Sequence, residues 1–186
     1  MQRIQRLTTR RWLSNFYALF PKTFPNANPT FKIDQAKLRK EYRSLQAIVH
    51  PDVQEASSID PTNAENLTSA SLNKAYTTLK DPLKRSEYIL KLKNFKLSPE
   101  ALSNQSLLME VMETHEILQN CDDKNEADQI NEINSKRINQ LIEKIDIAYK
   151  DNDFENAAKW TTELRYWKGI EAAIKDWQLE YLENQG

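Results

Sequence analysis

Glycine and cysteine are scarce in this chain: its 186 residues include two Gly and a single Cys, Cys121. One cysteine excludes a disulfide within the chain and a zinc site made only of its own cysteines. No run approaches the roughly 20 apolar residues that a membrane-spanning helix needs, so neither a span nor a membrane partner is expected. Few glycines beside many Lys, Glu, Leu, Gln and Ala favour helices over strands. The composition predicts an all-α fold.

Acidic residues are missing from the first 33 positions, where every charged residue is basic. Residues 1–13 mix Arg with apolar and hydroxyl residues, a composition typical of a mitochondrial transit peptide. We therefore expect residues 1–13 to be such a segment and the protein to work in the mitochondrial matrix. A basic tail on a cytosolic protein is the alternative. The net charge of the chain is −1, so no overall field attracts nucleic acid.

A basic amphipathic helix is predicted from Gln35 to about Val49, with Asp34 as its N-cap. Its apolar residues recur on one stripe: Leu38, Tyr42, Leu45 and Val49. Its cations fall on the opposite half of the cylinder: Lys37, Arg39, Lys40 and Arg43. Pro51 pushes His50 out of the α region, so the helix ends there.

A polar loop follows, and a second helix is predicted from Ala64 to Leu79. Asp81-Pro82 ends this helix and begins a short third one, with Pro82 at its first position. The tripeptide His50-Pro51-Asp52 thus lies in the loop between a basic helix and a second helix of matching length. Taken alone, it would be an ordinary Pro-terminated helix followed by a polar turn.

Residues 16–92, which include that tripeptide and Asp81-Pro82, resemble the J domain of DnaJ-type co-chaperones. The resemblance implies an antiparallel helical hairpin with short flanking helices and the tripeptide at its tip. It also implies a partner, a DnaK-type heat-shock ATPase. The chaperone-binding residues would be the tripeptide and the cations of the first helix, since four cations on one face suit an acidic patch on a partner. We assign residues 14–93 to this domain.

Three further amphipathic patterns follow a linker at 94–98 and predict a three-helix bundle over residues 99–186. The helices are expected from Pro99 to Asn120, from Glu126 to Tyr149 and from Phe154 to about Tyr181. The core stripe of the first is expected to be Leu107, Val111, His115 and Leu118. That of the second is expected to be Ile130, Ile133, Leu141, Ile145 and Ala148.

The J domain followed by LLMEVMETHEIL and ELRYW resembles the HscB-type, or Jac-type, co-chaperones of iron–sulfur cluster assembly. The resemblance implies a second partner, the scaffold protein on which the cluster is built, and no cofactor or metal held by this chain. It implies these scaffold-binding residues: Leu108, Met109, Met112, Glu113, Glu116 and Tyr166. Some members carry an N-terminal cysteine-rich zinc module, which this sequence lacks, so it resembles the fungal, Jac-type version.

Helical spacing provides an independent view of that surface. Leu108 lies at the edge of the core stripe and Met112 on the adjoining arc; the alternative is that both merely widen the core. Adjacent helix residues do not share a face, so if Trp167 is core, Tyr166 points elsewhere.

Three other functions are alternatives to this one. An enzyme with His50 and Asp52 as base and orienter lacks a Ser or Cys nucleophile motif, and no catalytic residue is assigned. A helix-turn-helix DNA binder would carry its cations on the second helix, after a turn of three or four residues, which this sequence does not. A generalist J-protein that delivers unfolded clients is the serious alternative, and it predicts indifference to the scaffold.

Overall fold

The structure, a computed structural model, describes residues 15–49, 68–95 and 104–184. This part of the chain contains a short 3-10 helix, Phe16–Leu19, followed by six α-helices, and no strand. The α-helices are α1 (Gln35–Val49), α2 (Ser69–Lys80), α3 (Pro82–Leu92), α4 (Gln105–Gln119), α5 (Lys124–Lys150) and α6 (Phe154–Glu183). The predicted all-α fold is confirmed.

Three sequence predictions fall outside the described residues: the transit segment 1–13, the tripeptide His50-Pro51-Asp52 and residues 96–98 of the linker. The chain divides into two compact units, one ending at Ile89 and the other beginning at Leu90. That division lies within α3, and the domain boundary at 94–98 stays a prediction.

In the first unit, α1 and α2 form the predicted antiparallel hairpin. The side chain of Gln35, at the start of α1, donates to the carbonyl of Lys80, at the end of α2, over 2.8 Å. Near the other end of the hairpin, the Ser69 hydroxyl donates to Gln46 Oε1 over 3.2 Å. The 3-10 helix and α3 are the short helices that flank this hairpin in sequence.

The core of the first unit draws side chains from these helices and from the segment between the 3-10 helix and α1. Its buried apolar residues include Tyr17, Phe20, Phe31, Leu38, Leu72 and Leu79. Arg85 of α3 is also buried. Its guanidinium donates to the Leu79 carbonyl over 2.6 Å and lies 4.9 Å from the centre of the Phe31 ring. The buried cation thus has the acceptor that burial of a charge requires.

Helix α2 begins later than its sequence suggests. Thr68 is extended (φ −92°, ψ 154°), and its hydroxyl accepts a hydrogen bond from Ser71 N in a capping box. The prediction of a helix running unbroken from Ala64 is therefore wrong at Thr68. Hydroxyl side chains favour caps because they bond the nearby backbone in non-helical conformations.

The same physics delays α4. Asn104 is the N-cap, and its side chain accepts from Leu107 N over 3.2 Å. The helix therefore begins at Gln105 and not at Pro99. At the start of α5 the effect is opposite, because Asp123 is the N-cap and the helix begins at Lys124, two residues ahead of the expected Glu126.

The second unit is the predicted three-helix bundle. Helices α5 and α6 form a long antiparallel hairpin, and Asn152 turns the chain between them in a left-handed conformation (φ 56°). Helix α4 packs mainly against α6. At the end of α4, the indole N–H of Trp177 donates to the Cys121 carbonyl over 2.9 Å.

The bundle core differs from the prediction at two positions of α5, because Ile130 is only half-buried and Ile133 is exposed. The buried residues of α5 include Asn134, Ile138, Leu141 and Ile145, which recur at helical spacing on one face. Ile133, expected in this stripe, is 53% exposed, whereas Asn134 is 1% exposed. Asn134 lies on the same face as Ile138, Leu141 and Ile145, so this face places the amide inside and the isoleucine outside.

The first unit also contains a buried carboxylate, Glu41 of α1. Its two oxygens accept hydrogen bonds from Lys22 N (2.8 Å), Thr23 N (2.7 Å) and the Thr23 hydroxyl (2.6 Å). Glu41 is 5% exposed, so water does not replace these bonds. It ties the turn after the 3-10 helix to α1.

We predict that Glu41→Ala lowers the free energy of unfolding by about 3 kcal/mol. The change removes three hydrogen bonds to a buried carboxylate and leaves the Lys22 N–H without its acceptor, while the Thr23 N–H keeps its bond to the Phe20 carbonyl. Urea denaturation of the whole chain measures the change. Arg39→Ala, on the exposed side of the same helix, is the control and should stay within about 0.5 kcal/mol of the wild type. Equal stability of the two variants would contradict the structural role of Glu41.

Candidate partner-binding surfaces

The four cations of α1 lie on the solvent side of the hairpin. Lys37, Arg39, Lys40 and Arg43 are all exposed, because Leu38, Glu41 and Val49 take the buried side of the helix. Lys37 lies 3.7 Å from Asp34, and its side chain is 71% exposed. Such exposed pairs contribute little to stability, so Lys37 remains available to a partner.

A polar network joins α1 to α2 near the loop that carries the tripeptide. The rings of Tyr42 and Tyr76 stack with centroids 3.9 Å apart. The Tyr42 hydroxyl and Gln46 Nε2 both donate to Asn73 Oδ1, over 2.7 Å and 2.6 Å. His50-Pro51-Asp52 follows α1 directly and lies outside the described residues. The network joins the C-terminal half of α1, just before the tripeptide, to α2. The sequence assigned no contact to Gln46 or Asn73, because amide side chains carry no periodic signal.

The predicted scaffold-binding face lies on α4, beside its core stripe. Leu107, Val111 and Leu118 are buried, whereas Met109 is 64% and Met112 is 70% exposed. Leu108 is half-buried, and the flanking carboxylates, Glu113 and Glu116, are exposed. The alternative that Met112 widens the core is therefore wrong. We call Leu108, Met109, Met112, Glu113 and Glu116 the α4 patch.

Methionine suits a contact surface, because its flexible thioether adapts to irregular partners. Met109 and Met112 are three residues apart and lie on one face of α4, and contiguous exposed apolar surface is found at interaction sites. Carboxylates beside them would add charge selectivity. The α4 patch thus has the chemistry of a protein-binding surface.

Tyr166 lies on α6, the helix against which α4 packs. It is half-buried, while its neighbour Trp167 is 2% exposed. As expected for adjacent helix residues, the tyrosine points away from the core that the tryptophan fills. The structure thus brings together the two helices that carry the predicted scaffold-binding residues.

Two residues of α5, the remaining helix of the bundle, contact Trp167 of α6. Arg137 is ion-paired with Glu110 of α4, and its guanidinium carbon lies 4.3 Å from the centre of a Trp167 ring. Asn134 donates from Nδ2 to the Trp167 carbonyl over 3.1 Å. Sequence analysis missed both; the available signal was an amide at a position four residues before Ile138, on the buried face of α5.

Metal ligands and membrane-spanning helices are the remaining features to compare with the described ranges. No group of three or more His, Cys, Asp or Glu residues is placed there to hold a metal ion. None of the described helices combines the length and the apolar character that crossing a membrane takes. His115 is half-buried on α4.

Two family models match the chain. One, a DnaJ domain, matches residues 28–88, and the other, an HSCB C-terminal oligomerisation domain, matches residues 103–175. Together they cover both units of the structure.

Curated relatives match across the same length. The chain is 43% identical over 178 residues to the mitochondrial J-type co-chaperone JAC1 of Saccharomyces cerevisiae, covering 92% of each chain. It is 32% identical over 153 residues to the human iron–sulfur cluster co-chaperone protein HscB, covering 81% of this chain and 65% of the human one. A solved structure of the Jac1 co-chaperone from Saccharomyces cerevisiae superposes with a TM-score of 0.72, at 38% identity, over 88% of this chain and 98% of that one.

The exposure of the α4 patch leads to a stability prediction. Met112→Ala should change the free energy of unfolding by no more than about 0.5 kcal/mol, because the side chain leaves no cavity. Leu118→Ala, at a buried position of the same helix, should cost about 2–5 kcal/mol. Urea denaturation of both variants tests the assignment, and a loss above about 2 kcal/mol for Met112→Ala would make Met112 a core residue.

Proposed function

The chain belongs to the family of J-domain co-chaperones of iron–sulfur cluster assembly, and from that premise we propose a function with two partners. The second unit binds the scaffold protein on which the cluster is built. The first unit engages a mitochondrial DnaK-type heat-shock ATPase and stimulates its ATP hydrolysis, so that the scaffold is delivered to the chaperone for cluster transfer. The observation that carries the proposal is the α4 patch, an exposed methionine-rich face on a helix whose other side is core.

The chaperone-binding surface consists of the exposed cations of α1 and the tripeptide that follows them. Lys37, Arg39, Lys40 and Arg43 steer an acidic patch of the ATPase into position, an effect that weakens as salt screens the charges. His50, Pro51 and Asp52 then bias the chaperone toward its hydrolysing state. The bond that breaks is in the ATP held by the chaperone, so this chain is an activator and not itself an enzyme.

The scaffold-binding surface consists of the α4 patch and Tyr166. Most of the binding free energy of an interface comes from a few apolar or aromatic side chains, called anchors, that lose their contact with water on binding. Leu108, Met112 and Tyr166 supply such anchors, while Glu113 and Glu116 at the margin select a partner with basic residues at the matching positions. A generalist co-chaperone would have no need of this dedicated surface.

The proposed site of action is the mitochondrial matrix. The relative in Saccharomyces cerevisiae is mitochondrial by name. The acid-free, Arg-containing residues 1–13 suit an import signal, and both proposed partners would be met in the matrix.

We predict that His50→Gln abolishes stimulation of the chaperone's ATP hydrolysis and leaves scaffold binding unchanged, because the imidazole acts only on the chaperone. Single-turnover ATPase assays and calorimetry with the scaffold measure the two effects. His115→Gln makes the same chemical change in the second unit and should keep full stimulation. Full stimulation by the His50 variant would exclude the tripeptide mechanism.

We also predict that changing Leu108, Met112 and Tyr166 together to Ala weakens scaffold binding at least about a hundredfold. Anchors cost about 2 kcal/mol or more each on truncation, and about 1.4 kcal/mol corresponds to a factor of ten. ATPase stimulation in the absence of scaffold should persist. Calorimetry and a thermal melt measure affinity and folding separately.

The matched control changes three exposed apolar residues elsewhere in the second unit: Ile133, Ile147 and Leu179, which are 53%, 57% and 61% exposed. Their replacement by Ala should leave scaffold affinity intact. A folded triple variant of the proposed site with wild-type affinity would remove scaffold binding from the proposal and favour the generalist function.

A further inference from the structure

The buried amide of Asn134 has no role in the function proposed so far. Its side chain is 1% exposed, and within the described residues no donor reaches its Oδ1. Its one bond runs from Nδ2 to the carbonyl of Trp167, over 3.1 Å, from α5 to α6. A buried polar atom without a partner is costly, so this position is not optimised for stability alone.

The contact is directional, unlike the apolar packing around it. Leucine and isoleucine side chains fill space without specifying one rotation of a helix, whereas a hydrogen bond to a particular carbonyl does. Buried polar groups are best attested in the role of fixing register between packed helices. The bond from Asn134 therefore fixes the rotation of α6 at Trp167.

Arg137, one turn further along α5, holds the same tryptophan by its ring. Its guanidinium lies 4.3 Å from the ring centre and is ion-paired with Glu110 of α4. Asn134 thus contacts the backbone of Trp167, and Arg137 contacts its side chain. The contact of Arg137 with the ring also involves α4, the helix that carries the α4 patch, through Glu110.

Fixing Trp167 also fixes Tyr166. Adjacent residues of an α-helix point about 100° apart, at 3.6 residues per turn. Any rotation of α6 that moved Trp167 out of its contacts would swing Tyr166 by the same angle. The half-buried tyrosine has no comparable polar tie of its own among the hydrogen bonds of the described residues.

We propose that Asn134, assisted by Arg137, is a positioning residue that holds Tyr166 in the orientation in which it meets the scaffold protein. The inference rests on the proposed scaffold binding and adds two residues that do not belong to the contact surface. Asn134 is buried and cannot touch the partner. It acts through Trp167 and the helix rotation.

The test uses the full chain with Asn134→Leu. This change removes the bond to the Trp167 carbonyl and also removes the unpaired Oδ1, so the melting temperature should stay equal or rise. Affinity for the purified scaffold protein should nevertheless fall about two- to thirtyfold, the range usual for residues that act through others. A loss of binding without a loss of stability is a result that a merely structural residue would not give.

A second variant, Arg137→Met, keeps an apolar stem over Trp167 and breaks the pair with Glu110. Because Arg137 lies at the surface, with 34% of its side chain exposed, this variant should fold and show a smaller loss of affinity. Lys136→Met is the matched control: Lys136 is the adjacent exposed cation and is paired with Glu132 over 2.7 Å. It should bind the scaffold as the wild type does.

A double-mutant cycle with Tyr166→Ala separates positioning from direct contact. If both residues act through Tyr166, neither Asn134→Leu nor Arg137→Met weakens binding further once the tyrosine is removed. Ring resonances of Tyr166 should also shift in Asn134→Leu, while those of Tyr149 in the same unit stay in place.

The affinities and the Tyr166 resonances together distinguish a failure of the positioning role from a failure of the proposed function. Equal losses with and without Tyr166, or unchanged affinity and unchanged Tyr166 resonances in Asn134→Leu, would overturn the positioning role while leaving scaffold binding intact. A wild-type chain that fails to bind the scaffold would overturn the proposed function, and the role assigned to Asn134 with it.

Discussion

The burial of Trp167 is the contact on which the arrangement of the second unit depends. Its indole is the largest fully buried side chain of the described residues, and truncating a buried tryptophan typically costs about 3–5 kcal/mol. From helix α5, Asn134 donates a hydrogen bond to the Trp167 carbonyl and Arg137 lies over the Trp167 ring. The ion pair of Arg137 with Glu110 connects α4 to the same contact. Three helices therefore meet at one residue of α6.

This constraint orders the surface beside it, as the proposed recognition of a partner requires. A side chain contributes more to affinity when it loses less conformational freedom on binding. In the proposed arrangement Tyr166 takes its orientation from its buried neighbour Trp167. The α4 patch is oriented by Leu107, Val111 and Leu118, which are buried on the other side of α4. The exposed face is thus specified by the buried one.

In the first unit, buried polar groups fix the segments that carry the exposed surface. Its hairpin is small, and two charged residues take buried positions, each with acceptors or donors in place: Glu41 with the turn after the 3-10 helix, and Arg85 with the Leu79 carbonyl. These bonds fix the segments that flank α1. Because its buried side is occupied in this way, α1 turns all four cations to solvent, where a charged partner can meet them.

Much of this protein follows from its sequence alone. Helix content, the order of the helices and the two-part organisation follow from residue propensities and from apolar periodicity, since these depend on residues close in the chain. The basic face of α1 and the split between Trp167 and Tyr166 follow for the same reason, because one helix determines which residues share a side. Helices α2 and α4 begin later than periodicity predicts, since Thr68 and Asn104 are N-caps whose local side-chain bonds periodicity does not register.

Only the tertiary structure decided which polar residues are buried. Asn134 inside and Ile133 outside reverse the order that hydrophobicity predicts, because the face of α5 that meets α6 is chosen by the whole bundle and not by single residues. The exposure of Met109 and Met112 was decided in the same way: α4 packs mainly on α6, and with two neighbours in the bundle it has a core too narrow to cover all of its apolar side chains. Long-range packing selects among the faces that a helix offers, and that selection is not written in any local pattern.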